Sequence, residues 1–181
     1  GIDKVADLKG KTITVNSPMN PIQDSNKLIL EYYGIWNTVK AIPQTGIPQM
    51  RDGMINKTLD AFSYSQGAAW ELEMQQAVGL KWIPIEMEAI KFAQEKMPGV
   101  MATQMVPRNL KMFGMPENTK FVTWAYPYAL MARPDMPDYV AKGILKAMFD
   151  NTSILAESMY RGSQTTLKSA TEIQAHIIPF H

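Results

Sequence analysis

The sequence predicts an α/β domain built on a doubly wound, mainly parallel sheet. Two observations lead there. Short β-branched runs alternate with stretches of helical period over the first hundred residues, the pattern of strand–helix–strand crossovers. Apolar residues make up 46% of the 181, enough to fill the core that such a sheet needs on both faces.

The elements follow in order. Asp7-Leu8-Lys9-Gly10-Lys11 is a polar turn, and Thr12-Ile13-Thr14-Val15 alternates and is rich in β-branched residues, so residues 12–15 read as a strand. A helix is expected to start at Pro21. Asn20 is a good N-cap, proline suits the first helical position, and Gln23 stands where a capping box places Glu or Gln. Ile22, Ile29 and Tyr33 share a face of this helix, and Gly34 ends it. Residues 39–42 read as a strand and 47–55 as a weak helix with Met50 and Met54 inward. Residues 59–64 read as a strand running into Ser65-Gln66-Gly67. Residues 68–78 read as a helix with Trp70, Met74 and Ala77 on one side. Residues 81–85 read as a strand and 87–96 as a helix.

The texture then changes. Residues 97–116 hold three prolines and two glycines without a period, which reads as a connector. The apolar run 121–132, with Trp124, Tyr126 and Tyr128, reads as one strand bent at Pro127. A strong helix is expected over 138–150, more helix over 153–159, and a Ser/Thr-rich turn over 162–166. No internal repeat of fixed period is present.

Composition narrows the function. Net charge is +1 with charges scattered singly, which argues against nucleic acid as a partner. Without cysteine there are no disulfides, thiol nucleophiles or thiolate metal sites. Of the 14 methionines, Met97, Met101, Met105, Met112 and Met115 fall close together, and thioethers can bind Cu(I). No His or Cys joins them and Pro98 and Gly99 interrupt, so they read as apolar gap fillers, and neither a metal nor a cofactor is expected. The two histidines, His176 and His181, lie in the tail. Ser63 and Ser65 follow a strand with no base near in sequence, and Glu71 and Glu73 read as a solvated helix face. There is no hydrolase elbow, Walker loop, dinucleotide fingerprint or His-x-x-x-His pair, and the protein is expected not to be an enzyme.

Five blocks carry a resemblance. They are Gly1-Ile2-Asp3-Lys4-Val5-Ala6-Asp7-Leu8-Lys9-Gly10-Lys11, Ile29-Leu30-Glu31-Tyr32-Tyr33-Gly34-Ile35, Leu59-Asp60-Ala61-Phe62, Tyr128-Ala129-Leu130-Met131-Ala132 and Ile178-Pro179-Phe180-His181. In this order and spacing they resemble the TAXI family of solute receptors, the extracytoplasmic subunits of TRAP-type transporters. The resemblance implies a type II periplasmic-binding-protein-like fold, of which this chain would be a C-terminal part lacking the first half-lobe, with any export signal upstream. Residues 1–118 would be the second, ligand-binding lobe. Residues 119–181 would be a return strand and C-terminal helices belonging to the first lobe. It further implies capture of a small organic acid or amino acid in the periplasm, delivery to the membrane subunits of a TRAP transporter, and weak affinity for the ligand with the opposing lobe absent. Where the family carries a Gly-Ser-Gly-Thr-like loop, this chain has Met19-Asn20-Pro21-Ile22. The alternative is an effector-binding domain of a transcription regulator, which shares the architecture.

In open parallel sheets ligands bind at the carboxyl edge of the strands, where helix N-termini favour anions. The candidate ligand contacts are therefore Ser17, Asn20, Ile22 and Gln23 on one side and Tyr64, Ser65 and Trp70 on the other. The alternative reading of Asn20 is that capping its own helix uses it up. A lobe without its upstream strand would expose a sheet edge, which the run 121–132 is expected to fill, or through which the chain would dimerise.

Overall fold

The computed structural model describes residues 1–15, 20–43, 46–64, 69–105, 116, 119–126, 130–158, 162 and 165–172. The chain divides into two compact units, Gly1–Tyr126 and Pro127–His181.

In the first unit the sheet is built on β1 (Thr12–Val15), which pairs in parallel with β2 (Lys40–Pro43) on one side and β3 (Ala61–Phe62) on the other. Ile13 stands opposite both Ala41 and Ala61. Alternation along β1 sends Ile13 and Val15 to one face and Thr14 to the other. All three are buried, so β1 is covered on both faces. On the Ile13 face lie α1 (Pro21–Tyr32) and α4 (Met87–Lys96), whose Ile29, Leu30, Ala89, Ile90 and Ala93 form a core with Val5, Leu8 and Val100. On the Thr14 face lie α2 (Ile47–Ile55) and α3 (Ala69–Val78), which bring Met50 and Met74 together with Leu59. The expected helices on both faces of a parallel sheet are thus present.

Polar contacts hold the amino ends of the strands in register. The Asp60 carboxylate accepts the Thr12 N–H at 2.8 Å and lies 3.6 Å from the Lys11 ammonium, while the Asp60 N–H returns to the Thr12 carbonyl at 2.9 Å. A 3-10 turn, Val5–Leu8, precedes β1. Asp7 caps it by accepting the N–H groups of Asp3 and Lys4 at 2.9 and 3.1 Å, and these donors hold its carboxyl below the usual aspartate value. At the far end of α1, Gly34 takes φ +66, and the Gly34 and Ile35 N–H groups close on the Glu31 and Leu30 carbonyls at 2.9 and 3.0 Å. That is a Schellman end, and it needs glycine.

Several expected elements differ. The strand over 59–64 shortens to Ala61–Phe62, which pair with Ile13 and Thr14 of β1. Residues 81–85 form no strand. Pro84 has no N–H to give, and the segment's Ile85 N–H reaches the Val122 carbonyl at 3.1 Å. The connector over 97–116 contains β4 (Met101–Met105), which pairs antiparallel with β5 (Phe121–Ala125). The run 121–132 therefore ends as a strand at Ala125. It completes a two-stranded ribbon rather than an edge of the parallel sheet, and its Val122 and Trp124 pack on the Ile13-side core. Pro127 lies outside the described residues.

Glu71 also departs from expectation. The buried side of α3 runs through Glu71 and Met74, so Glu71 is 6% exposed and Ala77 faces outward, while Glu73 is solvated. Met97 fills a gap against the core, as read, and its sulfur accepts the hydroxyl of fully buried Ser25 at 3.6 Å.

The second unit contains α5 (Asp138–Asp150), α6 (Thr152–Ser158) and α7 (Leu167–Glu172), the last not expected from sequence. Among its described residues no apolar side chain is buried, and Tyr139, Leu145, Ile154 and Leu167 are largely exposed.

The side chain of Ile90 is fully buried in the α1–α4 core. Ile90→Ala should lower unfolding stability by about 2–5 kcal/mol in urea titration. A change under ~0.5 kcal/mol would show that this core does not hold the first unit together.

Candidate functional site

Parallel pairing decides where the loops go. β1 and β3 are neighbours pointing the same way, so the segment from Val15 to α1 and the segment from Phe62 to α3 leave the sheet at the same carboxyl edge. Of the expected contacts, Asn20, Ile22, Gln23 and Tyr64 come to this edge. Ser17 and Ser65 lie outside the described residues, as does the side chain of Trp70.

The start of α1 is tightly capped. Asn20 Oδ1 accepts the Ile22 N–H at 2.9 Å, and the Asn20 carbonyl takes the Gln23 N–H at 2.9 Å. Pro21 has no N–H to leave open. The Asn20 oxygen and the Ile22 and Gln23 N–H groups are thus engaged within the helix, and what Asn20 can offer a solute is its amide nitrogen. Asp24 stands exposed in the first turn, where its charge suits the positive end of the helix. Tyr64 is 36% exposed just beyond β3.

Two residues that sequence reasoning left out of the site meet here. The Ser63 hydroxyl donates to Asn26 Oδ1 at 2.9 Å, tying the residue after β3 to the second turn of α1. Asn26 is 8% exposed, and its Nδ2 has no hydrogen-bond partner among the described residues. The sequence does carry a signal for it. Ile22, Asn26, Ile29 and Tyr33 fall at helical spacing on one stripe, so Asn26 interrupts an otherwise apolar face with a residue that disfavours helix interiors.

Two concavities lie elsewhere. A cavity of about 100 Å³ between β1, β2 and α2 is lined by Thr14, Ile42, Gln49, Met50 and Gly53, and its buried Thr14 hydroxyl points at Met50 Sδ, 3.8 Å away. That volume suits about three waters rather than an organic solute. In the second unit a concavity of about 470 Å³ is lined by Phe149, Thr152, Ser153, Ala156 and residues 165–167. Among the described residues no three His, Cys, Asp or Glu side chains are grouped to hold a metal ion.

The whole chain, residues 1–181, matches the family model described as NMT1-like. The chain belongs to the NMT1-like family. This is a periplasmic-binding-protein-like family, and the α/β unit with its three-stranded parallel sheet is consistent with one lobe of that fold. Membership places the protein among extracytoplasmic solute-binding proteins that take a small molecule and work with a transporter. No curated protein matches it. Among the described residues no helix is long and apolar enough to cross a membrane.

Removing the cap isolates its worth. Asn20→Ala should cost about 1 kcal/mol of stability in urea unfolding, and Asn20→Asp should recover most of it. Equal stability of Asn20→Ala and the parent would show that the cap bond is not formed in solution.

Proposed function

We propose that the protein is a TAXI-type receptor of a TRAP transporter. It captures a small organic acid or amino acid in the periplasm and hands it to the membrane subunits without changing it chemically. The observation that carries this reading is the shared carboxyl edge. A helix start and a strand end meet there through Asn26 and Ser63, in the place where open parallel sheets take their ligands.

The quoted TAXI-like blocks support the finer assignment because their residues have local work to do. Gly10 takes φ +74 in the turn ahead of β1, Gly34 takes φ +66 after α1, and Asp60 locks β3 to β1. The altered Met19-Asn20-Pro21-Ile22 loop shifts recognition away from loop hydroxyls and toward amide groups. No chemistry follows capture. Ser63 gives its proton to an amide oxygen, which cannot serve as a general base.

Isothermal titration calorimetry with lactate, succinate and alanine tests the reading. Saturable one-to-one binding of at least one of the three, with the solute recovered intact, is the expected result. No binding of any of them, or conversion of a bound one, would contradict it.

A further inference from the structure

Asn26 occupies a position where an apolar side chain would pack. It stands on the buried stripe of α1, more than nine-tenths out of solvent. Its carbonyl oxygen is taken by the Ser63 hydroxyl at 2.9 Å. In this arrangement the amide presents Oδ1 to Ser63 and turns its other end away. The end facing away is Nδ2, a buried donor with no acceptor among the described residues. Buried amides in native proteins are nearly always satisfied, and an orphaned donor calls for a partner that is not a protein group.

Location gives the class of that partner. Asn26 lies one turn behind the first N–H groups of α1, and Ser63 is the first residue past β3, so the amide sits at the carboxyl edge. The positive end of a 12-residue helix and an open N–H both favour an anionic oxygen. We propose that Asn26 is the donor that receives a carboxylate oxygen of the captured solute, with Ser63 as the residue that orients it. This assignment rests on the receptor reading and adds to it a recognition pair that the loop before α1 does not supply.

The test uses the full chain, calorimetry with lactate, succinate and alanine, and urea unfolding without solute. Asn26→Leu should weaken binding at least about tenfold, the usual worth of a hydrogen bond to a charged group. It should unfold at a urea concentration no lower than the parent, because the orphaned donor is gone. Asn26→Asp keeps the size and replaces the donor with a carboxylate, and should weaken binding as much or more. Ser63→Ala should weaken it by a smaller factor, and Ser63→Thr should restore it. If the parent binds a probe and a folded Asn26 variant binds it equally well, the assignment is overturned while the receptor reading stands. If both Asn26 variants fail to fold, the amide is structural and the assignment is overturned as well. A parent that takes none of the three probes overturns the receptor reading and this assignment with it.

Discussion

The first unit depends on a four-residue strand that is covered on both faces and paired on both edges. β1 has Ile13 and Val15 against α1 and α4, Thr14 against α2, β2 along one side and β3 along the other. A strand in that position cannot shift register by one residue without turning its apolar pair toward Met50 and its hydroxyl toward Ile90. Because both pairings are parallel, fixing β1 also fixes the edge from which every loop leaves. The bond between Ser63 and Asn26 is a consequence of that geometry.

Where local chemistry determined the outcome, the sequence was readable. β1, α1, α2, α4 and α5 lie within a residue or so of their expected positions, since caps, prolines and the apolar period act over a few residues. The Asn20-Pro21 start and the Gly34 end of α1 are the clearest cases. Legibility failed where the partner is far along the chain. Met101-Ala102-Thr103-Gln104-Met105 has little strand character of its own and becomes β4 only because β5 lies beside it. Residues 81–85 have the composition of a strand and lack a full partner. Glu71 departs from the solvated face expected of it for a related reason. Charge on a helix suggests solvent, but the side of α3 that meets the sheet is set by Met74, and Glu71 shares it.

The candidate site was legible as a place more than as a set of atoms. Strand–loop–helix order pointed to the carboxyl edge and to the start of α1. It could not tell that the first-turn donors are spent inside the helix, because capping and ligand binding call on the same groups. Nor did it single out Asn26, whose meaning appears only when Ser63, 37 positions away, takes its oxygen. Thr14, Ser25, Asn26 and Glu71 are buried polar side chains on β1, α1 and α3, elements that enter or leave that edge. Burying polar groups is costly unless each has a partner. Ser25 and Thr14 find methionine sulfurs, a weak acceptor in each case, and among the described residues Asn26 Nδ2 finds no acceptor.

Mapping amide chemical shifts by two-dimensional NMR during a succinate titration tests the location of the site most directly. Shifts concentrated at residues 20–26 and 63–64, including the side-chain amide of Asn26, are what the carboxyl-edge site requires. Shifts gathered instead around Phe149 and Leu167 in the second unit, or in the small cavity beside Met50, would contradict it.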